Sequence, residues 1–206
     1  MGSVCFIVDA MVTGEMLPRH LKSIRGSGVA DHLLPILITA TQAQERLSAI
    51  EQRYHAHALI TPARPLGVRL NKAAFASQAE WLIIALQKKP LSAELWGTLY
   101  PQLDTHTLDA LLIGFIRPKL PERIRRRLLA NTLILPPYIA VRRVWLERLG
   151  GFDPELGDNS VIDDFLQRLH ACPTRLKSYS GHLLSQMDKP GGSLRPNPEA
   201  AITPRP

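Results

Sequence analysis

Short apolar runs rich in β-branched side chains alternate with helical stripes along the first half of this chain, and that alternation limits the available folds more than any other feature. Val4-Cys5-Phe6-Ile7-Val8 opens the pattern as a buried strand ending near Asp9. Leu17, Leu21 and Ile24 then recur at four- and three-residue steps, the spacing of one helix face. Pro18 suits a first helical turn and Gly26-Ser27-Gly28 the exit. A second apolar run covers 33–38, and Leu47, Ile50 and Tyr54 trace a helix within 42–54. Ala58-Leu59-Ile60 is a brief strand, followed by a turn-rich loop through Arg64, Leu66 and Gly67. The stretch 68–79 reads as helix and Trp81-Leu82-Ile83-Ile84-Ala85-Leu86 as the central strand. Leu95, Leu99 and Leu103 give a further helical stripe that Pro101 is expected to shorten, and 108–116 is again strand-like. Strands and helices in alternation predict an α/β fold with a mostly parallel sheet flanked by helices.

After Ile116 the character changes. Residues 117–127 are basic and proline-punctuated, and 128–135 are apolar. Tyr138-Ile139-Ala140-Val141-Arg142-Arg143 leads to Gly150-Gly151-Phe152-Asp153, and 161–169 predicts a short helix with Val161, Phe165 and Leu169 on one side. Five of the last 17 residues are proline, which marks 190–206 as a tail that is either disordered or draped over a partner, behind a single domain spanning 1–189. With 45% apolar and 21% charged residues the rest is ordinary globular composition, which excludes a wholly disordered chain or a fibre.

Cys5 and Cys172 are the only cysteines, so a disulfide framework and a cysteine-based zinc site are excluded. No apolar run approaches the ~18 residues of a membrane span. The opening Met1-Gly2-Ser3-Val4-Cys5-Phe6 lacks the regions of a secretory signal, so a cytoplasmic location is expected. The formal charge of +7 favours anionic partners. Aromatic residues, at 6%, are not interleaved with the basic run, which argues against a specific nucleic-acid partner.

The segment from Ala140 through Trp145, Gly150-Gly151-Phe152-Asp153 and Asp164-Phe165-Leu166-Gln167-Arg168-Leu169 resembles the second half of family 2 glycosyltransferases. There an arginine-containing strand leads to a helix, a Gly-Gly-Phe-Asp turn and an acidic helix ending in Arg-Leu; the spacing from Asp153 to Arg168 fits without a gap. The first half agrees in order of elements, with Leu66-Gly67 ahead of Asn71 and Glu80-Trp81 opening the central strand. The resemblance implies a GT-A fold, Rossmann-like, with a nucleotide-sugar cleft at the strand ends, where open α/β sheets place ligands.

That family neutralises the departing diphosphate with a cation held by an Asp-x-Asp pair after the central strand; here Leu86 and Lys88 occupy the two positions, and neither can ligate a metal. The acidic residue expected after the second strand is replaced by Ile38-Thr39-Ala40-Thr41. The Glu-Asp pair that supplies the general base falls on Val161 and Ile162, with Asp163 and Asp164 one and two residues further on. The family's late histidine has its nearest counterpart in His182. No cofactor is therefore expected. Asp164 and Asp163 are the candidate catalytic residues, and Asp9, Arg64, Lys88 and Arg142 the candidate substrate-binding residues. Lys88-Lys89 reads either as a cationic substitute for the metal or as solvated surface charge, and the two aspartates either as a displaced base or as favourable charge near a helix N-terminus. Two functions follow from the resemblance: glycan or polysaccharide synthesis by metal-independent or lost sugar-nucleotide transfer, or an inactive relative serving as an assembly or regulatory partner. A nucleotide-sugar is the expected small molecule; a partner protein, a second copy or a peripheral membrane contact is compatible with the basic charge.

Overall fold

The computed structural model describes residues 2–103, 108–114, 135–172 and 174–179. The basic stretch 117–127, most of the run 128–135, His182 and the tail 190–206 lie outside them. A seven-stranded sheet forms the centre, built from β1 (Val4–Asp9), β2 (Ile36–Ala40), β3 (His57–Ile60), β4 (Trp81–Ala85), β5 (Ala110–Ile113), β6 (Tyr138–Arg142) and β7 (Leu176–Tyr179) in the order β3-β2-β1-β4-β6-β5-β7. β1 is parallel to β2 and β4, β2 to β3, and β5 to β7; β6 alone is reversed, antiparallel to both β4 and β5. The carboxyl ends of six strands therefore share one edge of the sheet, and the mostly parallel sheet expected from the sequence is present.

Both faces are covered, which is why the strands are continuous apolar runs rather than alternating ones. Alternate residues sort cleanly. Phe6, Ile38, Ile83, Leu111 and Ala140 point to one face, under α1 (Ala10–Thr13), α2 (Leu17–Arg25), α3 (Glu45–Tyr54) and α5 (Ala93–Leu103). Ile7, Leu82, Ile84, Leu112 and Val141 point to the other, under α4 (Leu66–Ala76), α6 (Arg143–Arg148) and α7 (Asp158–Ala171). On the first face Trp96 packs edge-on against both Phe6 and Tyr138, with ring centroids 5.0 and 4.9 Å apart.

Several boundaries differ from the sequence expectation. α4 begins at Leu66 because Pro65 enters it with φ −60° and the Asp158 carboxylate accepts from the Leu66 amide at 2.8 Å. It ends at Ala76, where Ser77 turns extended and its hydroxyl accepts from the Ala79 amide. α5 runs on past Pro101 to Leu103; a missing N–H costs one i→i−4 bond, and in the last turn that does not end the helix. At the end of α3, His55 closes the helix at φ 47° in the left-handed region, and its ring pairs with Asp31 at 2.8 Å.

Candidate functional site

At the carboxyl edge the strand order reverses between β1 and β4, since β2 lies on one side of β1 and β4 on the other. That crevice is where a doubly wound sheet accepts ligands, because loops diverge there and leave strand ends open. Asp9 ends β1 at this point, but it is fully buried and fully engaged. Its Oδ1 caps α1 by accepting from the Met11 and Val12 amides at 2.9 and 3.0 Å. Its Oδ2 accepts from the Thr39 hydroxyl and from Arg69 Nε, both at 2.7 Å, and Arg69 Nη2 reaches Oδ1 at 3.2 Å. Arg69 is itself 0% exposed, and its remaining nitrogen donates to the Arg64 carbonyl. Every lone-pair direction of Asp9 is thus used inside the protein, and a substrate finds no acceptor there. The signal for Arg69 was in the sequence: it lies three residues after Leu66 and four before Ala73, on the buried stripe of α4, and a charge on such a stripe requires a buried partner.

The end of β4 carries no metal cage. Leu86 is buried among apolar neighbours of the α4 and α7 face, and Lys88 and Lys89 stand exposed in the turn that follows. An alkyl side chain and two ammonium groups do not fit a divalent cation, and no group of three or more His, Cys, Asp or Glu able to hold a metal occurs among the described residues. Arg64 is exposed in the loop after β3, at the same edge as Lys88 but three strand spacings away, roughly 14 Å.

The two aspartates of α7 have different environments. Asp164 is bound by Arg168, whose Nε and Nη2 donate to Oδ2 at 2.8 and 2.5 Å, and Arg168 continues to the Leu149 carbonyl and over the Phe165 ring. This is a pair one turn apart that fastens α7 to the end of α6. Asp163 keeps a buried Oδ1 without a hydrogen-bond partner among the described residues. Because Asp158 caps α4, the N-terminus of α7 sits at the carboxyl edge, and Asp163 lies five residues down, roughly 7.5 Å along the axis. Thr61, just beyond β3 at the same edge, likewise has a buried unpartnered hydroxyl.

Arg142 is at the opposite edge, a correction to its grouping with the cleft residues. It pairs with Trp81, the first residue of β4, because β6 runs backwards. Its guanidinium donates to the Leu108 carbonyl at 2.7 Å, pairs with Glu80 and lies 4.8 Å above the Trp81 ring. Arg143 begins α6 and donates to the Ala79 and Ser77 carbonyls, so neither arginine faces the crevice.

Among the described residues a cavity opens on the carboxyl edge. It has a volume of ≈ 320 Å³ and lies between the α1–α2 segment and the start of α3, bordered by Met11, Glu15, Thr41, Gln42, Gln44 and Arg46. That is the lower end of the size range of ligand pockets, with a mixed apolar and polar wall. Motif reading missed it because its polar residues are scattered over the short turn before α2, the loop after β2 and the first turn of α3, with no spacing to mark them.

The Gly-Gly-Phe-Asp turn is structural. Gly150 and Gly151 adopt φ 79° and 73°, and Phe152 is fully buried. The Asn71 side chain brackets the turn, donating to the Phe152 carbonyl at 2.7 Å and accepting from its amide at 2.9 Å.

No family model matches the chain, and no curated protein matches it. Solved structures do. A mannosyltransferase, PcManGT from Pyrobaculum calidifontis, in complex with GDP-Man and Mn2+, superposes with TM-score 0.66 at 17% identity, over 87% of this chain and 55% of that one. Residues 1–349 of S. aureus TarS give TM-score 0.63 at 16% identity, over 87% and 58%. Glucosyl-3-phosphoglycerate synthase from Mycobacterium tuberculosis, with phosphoglyceric acid, gives 0.61 at 14%, over 86% and 69%. The sheet is that of GT-A glycosyltransferases, and the likeness establishes the fold. The chain spans between about half and two thirds of the length of the chains in these three structures.

Proposed function

We propose that this protein binds a nucleoside diphosphate sugar at the carboxyl edge of its sheet without a resident divalent cation, as a GT-A protein of glycan synthesis. The observation that carries the reading is the ≈ 320 Å³ cavity at the ends of β1 and β2, on an edge whose central strand is followed by a turn bearing lysines rather than carboxylates. The neighbouring structures supply the ligand class: the mannosyltransferase is described with GDP-Man and TarS with UDP-GlcNAc. In those terms the cavity takes the nucleoside, and Lys88 and Lys89 oppose the charge of the diphosphate as point charges. Transfer needs an acceptor oxygen to attack the anomeric carbon as the bond to the diphosphate breaks. The diphosphate keeps the bonding electron pair, and the acceptor's proton goes to a base. Of the two aspartates Asp163 is the candidate for that proton, because its buried Oδ1 has no hydrogen-bond partner among the described residues while Asp164 is held by Arg168.

A second reading has its own support. Asp9 is consumed internally, Asp164 is locked in an ion pair and Leu86 fills a carboxylate position, a set that suits an inactive relative acting through a partner.

Titration calorimetry with UDP, GDP and their sugar conjugates, in EDTA and in manganese, separates the two. The first reading expects binding that EDTA leaves unchanged and that Lys88→Ala weakens by roughly five- to tenfold, the worth of a charged contact. The lysine side chain is exposed, so this substitution leaves the fold intact. Binding that appears only with manganese refutes metal independence, and no binding under either condition leaves the partner reading. Where transfer is measured, Asp163→Asn is expected to abolish it while preserving donor affinity.

A further inference from the structure

His20 is a polar ring with 0% exposure on α2. Its Nε2 lies 3.0 Å from the carbonyl of Lys88, and its Nδ1 is hydrogen-bonded to the Tyr138 hydroxyl. A carbonyl only accepts, so Nε2 carries the hydrogen; a neutral ring then accepts the Tyr138 O–H at Nδ1. Burial pushes the imidazole down from its ordinary pKa and the Tyr138 phenol up, so both groups stay neutral. Trp96 packs edge-on against Tyr138 and fixes the phenol in turn.

The Lys88 carbonyl is one of several anchors on the same short turn. The Ser23 hydroxyl, one helical turn along α2, donates to the Leu91 carbonyl. From the other side, the Leu86 backbone amide donates to the Pro137 carbonyl at 2.8 Å and the Gln87 side-chain Nε2 to the Leu135 carbonyl. A turn carrying two adjacent ammonium groups repels itself and gains entropy by moving. Here its backbone is held from α2 and from the segment before β6 while both lysine side chains remain in solvent. Such an arrangement gives up backbone freedom in advance, which lowers the cost of presenting the counter-charge.

We propose that His20 is a positioning residue for the Lys88-Lys89 turn: as the neutral Nε2–H tautomer it anchors the backbone that presents both ammonium groups to a diphosphate. The inference rests on the sugar-nucleotide reading above and adds to it the group that holds the cationic turn in place.

The test compares His20→Phe, which keeps an aromatic ring but loses both hydrogen bonds, with His20→Gln, whose amide nitrogen restores the donor to Lys88. Amide exchange across 86–91 and calorimetry with UDP and GDP in EDTA are the readouts. His20→Phe is expected to speed exchange at the turn and to weaken diphosphate binding by roughly fivefold, the worth of one hydrogen bond, with both recovered in His20→Gln. The 15N shifts of His20 in the unmodified protein report the tautomer directly and do not depend on either variant folding. A protonated Nδ1 at neutral pH overturns the inference, as does unchanged exchange in His20→Phe. So does undiminished affinity in that variant while the unmodified protein binds normally, which makes His20 a structural anchor only. Failure of the unmodified protein to bind any diphosphate takes away the sugar-nucleotide reading and this inference together, an outcome distinct from the other three.

Discussion

Asp9 and Arg69 show why a residue type at a strand end does not by itself make a binding group. A carboxylate at the end of β1 invites a ligand, yet here it holds together α1, β2 and α4 through one cap, one hydroxyl and one guanidinium. With both side chains at 0% exposure, loss of either leaves the other charged and buried. Arg69→Ala is therefore expected to cost about 3–5 kcal/mol in urea denaturation. Asp9→Asn combined with Arg69→Met removes both charges and keeps the cap, and should cost markedly less than the sum of the single losses. A loss below about 1 kcal/mol in Arg69→Ala would mean that the pair is exchanging with water and that Asp9 is free for a ligand after all. At this scale the sequence was only partly legible. Asp9, Arg64 and Lys88 do stand at the carboxyl edge, but Arg142 does not, because a single reversed strand carries it to the other end. No local spacing announces the reversal of β6, which depends on where β4 and β5 leave room.

Elements were far more legible, because a periodicity of two or of 3.6 survives without knowledge of tertiary contacts. Every strand from β1 to β6 falls within or beside an apolar run seen in the chain. β7, Leu176–Tyr179, was not foreseen; its two end residues are half-buried and the two between them exposed, so the signal of a buried run is absent. The motif that carried the resemblance turns out to serve packing. Gly151 has φ 73°, and a Cβ there would lie 2.6 Å from Asn71 Oδ1; a Cβ on Gly67 would lie 2.6 Å from the Asp153 carbonyl. α4 and the Gly-Gly-Phe-Asp turn thus approach as closely as bare backbone allows, and Asn71 pairs with the Phe152 backbone across the gap. The motif thus has a packing role of its own, independent of any chemistry at the carboxyl edge. Asn71→Ala is expected to destabilise by about 2 kcal/mol, since two part-buried backbone groups lose their partner. Gly151→Ala should cost a similar amount through strain and the clash. Because the clash is with Asn71 itself, the double variant should cost about 1 kcal/mol less than the sum, measurable as a coupling in a double-mutant cycle. Strict additivity would show that the dihedral alone sets the penalty.

Across the whole molecule, acid should loosen the two edges of the sheet at different pH. His20 ties α2 to the turn at the carboxyl edge, and burial holds its pKa below the usual 6.5. The unfolded chain binds a proton that the folded ring refuses, so this contribution is complete above about pH 6.5 and is lost as pH falls from there. At the amino edge Arg175 clasps Asp109 through Nε at 3.1 Å and Nη2 at 2.8 Å while its backbone amide bonds the same carboxylate, which brings the start of β7 to β5. Those bonds lower the Asp109 pKa from 3.8 to about 2. The folded carboxylate stays ionised where the unfolded one has protonated, so stability is present above pH 3.8 and falls between there and 2. Arg175 is more than half exposed, so water screens the pair and the contribution is about 1–2 kcal/mol rather than the full value of the shift. Thermal unfolding from pH 8 to pH 2.5 should accordingly show two declines, with His20→Gln removing the upper and Asp109→Asn the lower. If β7 is held mainly by its ladder with β5, Asp109→Asn leaves the lower decline in place and the clasp is incidental. If it is held by the clasp, amides 176–179 lose protection first, in acid and in the variant alike, while β1 and β4 in the middle of the sheet keep theirs.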